Sequence, residues 1–283
     1  VPSVWRFDAI GTVWSIESDS PVADSARARI TELIDGFDRD WSRFRSDSQV
    51  SALSVGGSIP APADTDAMLA LYAEVSDATD GAVNPLVGGS LERLGYDRDY
   101  SLRAQPPIPA PDWRAVLHWK GGILRLDEPA TIDVGALGKG RLVDLVLDEL
   151  AGTLSGGVVV DAGGDIAVRG MPQRVALEHP FDRTRAIGVV ELADGALCSS
   201  AVNRRAWGDG LHHVLDARTG IPVDAVAATW ARADTAMRAD AAATALFFDG
   251  GPELAHRWDV PWVRMLTDGR VQWSPGNEAE LFV

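Results

Sequence analysis

Apolar residues recur at three- and four-residue intervals in several stretches of the chain and alternate or bunch in short runs elsewhere. Ile30, Leu33, Ile34, Phe37, Trp41 and Phe44 fall on one face of a helix. A second helix is predicted from about Thr65 to Thr79, with Met68, Leu69, Leu71, Tyr72 and Val75 apolar and Gly81 placed to end it. From Asp127 the pattern predicts a strand, a glycine-containing turn and a third helix whose buried face is Leu142, Val143, Val146, Leu147 and Leu150, with Gly152 as its stop. Residues 234–248 predict a fourth helix, small-residued and apolar.

Between the helices lie strand signals. Residues 4–18 predict two short strands around the Gly11–Thr12 step. Residues 156–170 predict a hairpin turning at Gly163-Gly164-Asp165. Further strands are expected at 186–192, 212–216, 226–232, 260–266 and 270–273, the last two joined by Thr267-Asp268-Gly269. The proline-rich stretch "RAQPPIPAPDW" (103–113) predicts an extended surface connection, too short to link independent domains. Strands and helices mix without a regular βαβ rhythm, so the expected class is α+β, in one domain over 1–283 with two intimate subdomains.

Composition narrows the partners. The chain has 283 residues and a formal net charge of −15, which argues against a general basic surface for nucleic acid. A local lysine or helix N-terminus can still hold phosphate. Cys198 is the single cysteine, so neither an internal disulfide nor a cysteine metal cage is available. No apolar run is long enough for a transmembrane helix, and residues 1–12 lack the pattern of an export signal. As given, the chain reads as cytoplasmic; the alternative is an exported or envelope-associated protein whose leader has been removed.

Four segments carry candidate chemistry. In "IDVGALGKGRLVD", glycines 135, 138 and 140 flank Lys139 where a helix begins, a setting suited to an anion. The Walker A spacing is not met, and a glycine-rich turn with a solvated lysine is the plain alternative. "DAGGD" (161–165) is satisfied by turn chemistry alone. "LHHVLDARTG" (211–220) puts His213 and Leu215 on one strand face and His212, Val214 and Asp216 on the other. A histidine is a usual general base, but satisfied structural histidines are the default for such a pair, and the spacing does not suit zinc. In "RADAAATALFFDG" (238–250), Asp240 and Thr244 share a helical face, and their oxygens suit a hard cation such as Mg²⁺. The local alternative has Thr244 bonding back to the carbonyl of residue 240.

Taken together, seven collinear segments resemble the ApbE-like family of FAD:protein FMN transferases, over nearly the whole chain. "FDAIGTVWSI", "SRFRSDSQVSAL" and "TDGAVNPLVGG" resemble its first three motifs. "IDVGALGKGRLVD" and "VVVDAGGDIAVRG" match the lysine turn and the glycine hairpin, and "HHVLDARTG" and "RADAAATALFFDG" the histidine and metal segments. The resemblance implies an ApbE-like fold of mixed and antiparallel sheets with packed helices. It places Ile10, Phe44, Ala82, Val83, Asn84, Asp133, Lys139, Asp144 and Leu215 against FAD, with Gly163, Gly164 and Asp165 supporting the nucleotide. It implies Mg²⁺ held by Asp240, Thr244 and the backbone carbonyl of Ala136. Catalysis then rests on Lys139 and on His213 as base: FMN passes from FAD to a threonine hydroxyl of an acceptor flavoprotein, and AMP departs. The alternatives are an FAD-binding carrier without transfer, and an FAD pyrophosphatase giving FMN and AMP. Ile10, Phe44 and Asn84 replace the family's usual Met, Tyr and Asp, and Ala217 its proline. "CSSAVNRRAW" (198–207) replaces a T-S-G-d-y segment. This pattern implies an intact metal centre in an altered flavin cradle.

Overall fold

The computed structural model describes residues 2–282. Apolar alternation forms the opening hairpin, β1 (Ser3–Ala9) and β2 (Thr12–Ser18), which buries Trp14 and Ile16. Its two-residue turn has positive φ at both Ile10 (41°) and Gly11 (73°), the primed geometry that matches strand twist. For a β-branched side chain that backbone is strained. Helix α1 (Asp24–Trp41) presents Ile30 and Ile34 to the core. It ends at Trp41, so Phe44 lies beyond the helix that the spacing assigns it to. Next come α2 (Gln49–Leu53), β3 (Gly57–Pro60), α3 (Thr65–Ala78) and α4 (Gly88–Arg93). Past the end of α3 both Asp80 (φ 52°) and Gly81 (φ 80°) take positive φ, and the Gly81 N–H closes back on the Ser76 carbonyl at 2.8 Å.

The chain then runs without helix or strand through 101–112 to α5 (Trp113–Val116) and the hairpin β4 (Leu117–Lys120), β5 (Ile123–Leu126). The strand expected after Asp127 does not form. The backbone N–H groups of Asp127, Ala130 and Asp133 instead donate to the carbonyls of Val116 at the end of α5, of Ser54 just past α2 and of Pro85. That segment is pinned between them and leaves no ladder to join. Helix α6 (Gly138–Ala151) follows, then β6 (Val158–Asp161) and β7 (Asp165–Arg169) around the glycine turn.

The pattern misses β8 (Gln173–Glu178) and β10 (Gly195–Ala201), as it misses the short β3, β4 and β5; between β8 and β10, β9 (Ala186–Leu192) falls where expected. After β10 a 3₁₀ turn (Val202–Arg205) leads into two-residue strands β11 (Ala206–Trp207), β12 (Leu211–His212), β13 (Leu215–Asp216) and β14 (Ile221–Pro222). The expected strand 212–216 is therefore split at His213. The chain closes with β15 (Val226–Ala233), α7 (Ala236–Ala245), α8 (Gly251–Arg257), β16 (Trp262–Leu266), β17 (Val271–Trp273) and β18 (Glu280–Leu281).

The main sheet has eight strands in the order β1-β2-β6-β7-β10-β15-β16-β17. Every pairing among the described residues is antiparallel, which with the packed helices makes the fold α+β. One face packs on α1, α6 and α7 through Trp14, Ile16, Val160 and Cys198. The other packs on the small sheet β18-β9-β8 through Leu197, Trp230 and Val263. A further core lies between α3, the β3-β5-β4 sheet and α7. Among the described residues no helix is long and apolar enough to cross a membrane.

Candidate active site at the α6–α7 crossing

The site is built where α6 and α7 touch. Gly140 allows the approach: a Cβ there would stand 2.3 Å from the Ala236 carbonyl oxygen and 2.8 Å from the Asp240 Cβ. The glycine pattern leaves an anion setting and a plain glycine-rich turn both open; Gly140 itself is needed for the approach of α7. Asp144, one turn along α6, accepts from the N–H groups of Ala236 (2.7 Å) and Met237 (2.9 Å), the first donors of α7. Its carboxylate thereby anchors α7, and burial raises its pKa.

This anchoring aligns α7 against the turn before α6. Asp240, 3 % exposed, accepts from the Gly140 N–H at 3.0 Å. The Thr244 hydroxyl donates to the Ala136 carbonyl at 3.2 Å, so it does not bond back within its own helix. Ala136, Asp240 and Thr244, distant in sequence, thus meet at one crossing.

Lys139 Nζ lies 3.0 Å from Asp165 Oδ2, and Asp165 is fully buried. Burial lowers the lysine pKa, but the charges of Asp165 and Asp240 more than offset this and hold it raised. Burial and the neighbouring Asp165 push Asp240 well above the carboxylate range. Two buried carboxylates against one ammonium leave the cluster short of positive charge.

A second shelf lies toward residues 43–100. Asp133 accepts from Arg43 Nε at 2.6 Å and from the Gly135 N–H at 2.7 Å, and Arg43 is almost fully buried. Burial would raise the Asp133 pKa, but Arg43 and the Gly135 bond bring it below the usual value. Arg43 lies 4.1 Å from the Phe44 ring centroid, and Phe44 stacks on Tyr100 at 5.4 Å. Leu215 packs with Tyr96 and Trp207 in the same cluster. Ala82 and Val83 are buried next to the 215–217 segment, which they meet through the Ala217 N–H to Ala82 carbonyl bond. The Asn84 amide donates to the Pro111 carbonyl at 2.9 Å while its oxygen accepts from the Leu86 N–H. Asn84 therefore fastens the proline-rich strap, and Ile10 stands in the strained hairpin turn described above.

The two histidines divide as the broken strand dictates. His212 Nε2 lies 2.8 Å from the Val223 carbonyl and its Nδ1 accepts from the Val214 N–H, so its ring is structurally committed. His213 Nδ1 is buried without a hydrogen-bond partner. Burial, then the positive charges of Arg205, His212 and Lys139, lower its pKa to about 3. Arg205, whose charge also reaches Lys139, Asp133 and Asp240, escaped the sequence reading. It lies in the stretch where the resemblance weakens, and its spacing carries no signal. Among the described residues no group of three or more His, Cys, Asp or Glu is gathered as a metal cluster.

Fold and site define an antiparallel α+β protein with buried charged and oxygen-bearing side chains gathered at a helix crossing. The ApbE family model matches residues 10–260, and the chain belongs to the ApbE family. It is 28% identical over 302 residues to an FAD:protein FMN transferase of Rhodobacter capsulatus, covering 97% of this chain and 57% of that one. The chain thus spans little more than half the length of that relative. It is 27% identical to an FAD:protein FMN transferase of Vibrio cholerae, covering 85% of this chain and 79% of that one. Solved structures share the fold: an ApbE protein from Thermotoga maritima at TM-score 0.83 and 22% identity, covering 97% of each chain. The flavin transferase ApbE of Vibrio cholerae superposes at TM-score 0.81 and 22% identity, covering 98% of each.

Proposed function

We propose that the protein transfers FMN from FAD to a threonine hydroxyl of an acceptor protein and releases AMP. The observation that carries the reading is the meeting of the Ala136 carbonyl, Asp240 and Thr244 beside the Lys139–Asp165 pair. The donor set is all oxygen and the cluster lacks positive charge, which fits a hard divalent cation such as Mg²⁺. When bound there, the cation neutralises charge on the pyrophosphate and on the departing AMP.

The chain's own groups supply the rest. Lys139, kept protonated by Asp165, offers a second positive contact to a phosphate oxygen. Phe44, Leu215, Asp133 and the 82–84 backbone form the shelf for the flavin half. His213 is neutral at pH 7, and its unpartnered Nδ1 is free to accept a proton. The acceptor's hydroxyl oxygen forms a bond to the phosphorus of the FMN half as the bond to the AMP phosphate breaks. The hydroxyl proton passes to His213, and AMP leaves. A pKa near 3 makes a weak base, but an arriving pyrophosphate offsets the charges of Arg205 and Lys139 and raises it. A base so placed contributes about 10²–10⁴-fold in rate.

Purified protein incubated with FAD and Mg²⁺ tests the reading. AMP release, with flavin fluorescence surviving denaturation on a threonine-bearing acceptor, is expected. FAD binding without AMP would identify a carrier, and AMP with only free FMN a pyrophosphatase. Asp240→Ala should abolish metal-dependent turnover, while His213→Ala should leave FAD binding largely intact.

A further inference from the structure

A cavity of about 290 Å³ opens between the main sheet and β8. Ile166, Leu197 and Trp230 form its apolar wall; Ser199, Ser200 and Asn203 line its polar side. Gly163 and Gly164, which the family resemblance gives to nucleotide support, line it; none of the residues assigned above to the cation or to catalysis does, and two of its walls continue into neighbours of that site. Its Gly163–Gly164 turn leads directly into Asp165, the partner of Lys139. Its Asn203–Arg204 wall leads directly into Arg205, whose charge reaches His213.

The third wall is a strand edge. β8 is the outermost strand of the sheet β18-β9-β8, and Val175, Ala176 and Glu178 of it line the cavity. An outermost strand keeps a row of backbone donors and acceptors that an extended peptide can pair with. The lining carries the carboxylates of Asp161 and Glu178 and the guanidinium of Arg204. Just outside it, Arg183 (3.5 Å) joins Arg204 (3.1 Å) on Glu178, and Arg205 forms no ion pair among the described residues, so arginines outnumber carboxylates here by one. In a chain of net charge −15 this surplus is local and attracts an acidic segment.

We infer that this cavity and the free edge of β8 receive the acceptor polypeptide as an extended, acid-flanked segment, with its hydroxyl delivered past the glycine turn toward Lys139 and His213. The inference rests on the transferase reading and names the docking surface of that reaction. Main-chain pairing with β8 supplies affinity that tolerates sequence, and the cavity and the arginines supply selectivity.

The test uses two short synthetic peptides with one central threonine, flanked by aspartates in one and lysines in the other. Backbone hydrogen exchange is followed with each peptide at millimolar concentration, without FAD. Peptide labelling by FMN and peptide-independent AMP release are measured separately. The aspartate peptide should slow exchange across 173–178, and the lysine peptide should not. Arg204→Glu should weaken the aspartate peptide by about tenfold. Ala176→Trp, which fills the cavity, should remove both the protection and the labelling while AMP release stays within about twofold; thermal unfolding confirms that the variant folds. Absence of protection at 173–178 with either peptide overturns the inference. So does an Ala176→Trp protein whose AMP release falls as far as its labelling, because the cavity then serves FAD. If the wild-type protein releases no AMP, the transferase reading fails, while the exchange experiment still decides whether peptide binds β8.

Discussion

Replacing Gly140 with alanine sets two effects of opposite sign against each other. In a helix interior alanine is ordinarily favoured over glycine by about 1 kcal/mol. At Gly140 the added Cβ meets the Ala236 carbonyl oxygen at 2.3 Å, its carbon at 2.6 Å and the Asp240 Cβ at 2.8 Å. Backbone cannot rotate away, so α6 and α7 must separate by about 1 Å to restore ordinary contact. Overpacking of this kind costs about 1–3 kcal/mol. The same displacement stretches the 3.0 Å Gly140–Asp240 bond beyond hydrogen-bonding range, adding about 1–3 kcal/mol. Crowding therefore wins, and a net loss of about 1–5 kcal/mol is expected. Urea unfolding followed by tryptophan fluorescence reads it, with Gly36→Ala in α1 as control. A Cβ at Gly36 meets nothing within 4 Å, so that variant should be unchanged or slightly stabilised. A Gly140→Ala protein as stable as wild type would refute the close crossing, and with it the assembly of the site.

His213 predicts a pH effect: its folded pKa of about 3 lies below the unfolded value of 6.5, so only the unfolded chain takes up the proton between them. Stability should therefore fall as pH drops from 6.5 toward 3, by up to about 1.4 kcal/mol per unit, and His213→Gln should flatten that slope in denaturant titrations. Arg43→Met strands the buried Asp133 carboxylate and should cost about 3–5 kcal/mol at pH 7, with part recovered in the Arg43→Met/Asp133→Asn double variant. Asp144→Ala frees the Ala236 and Met237 N–H groups and should destabilise by about 1–2 kcal/mol by thermal or urea unfolding, while also weakening Mn²⁺ binding measured by calorimetry.

What the sequence made legible was periodic or collinear. α3, α6 and the 156–170 hairpin follow from spacing alone, and Ala136, Asp240 and Thr244 were brought together by motif order. β10 stayed hidden because "GALCSSA" is small-residued and packed on both faces, leaving no alternation to read. The run after Asp127 is apolar enough for a strand, but its backbone bonds go to the end of α5 and to connecting segments, not to a ladder. Nothing in "HHVLD" marks the break at His213, so the pattern predicts 212–216 as one strand. The roles of Asp144, Asn84 and Gly140 were illegible for another reason. Each depends on a partner far along the chain, an α7 N-terminus, a strap carbonyl or a neighbouring helix, and only the assembled fold supplies it.

α7 has one more use. Ala239, Ala241, Ala242, Ala243 and Ala245 are each at most 1 % exposed, and the helix meets α3, α6, α8, β10 and β15. Apart from exposed Arg238 and half-buried Met237 and Thr244, it has little wetted surface from which to peel. Its central amides should exchange with deuterium only when the whole molecule opens, so their protection reads global stability directly in native buffer. A variant that loses turnover with α7 protection intact has a damaged site; one that loses both has a damaged fold.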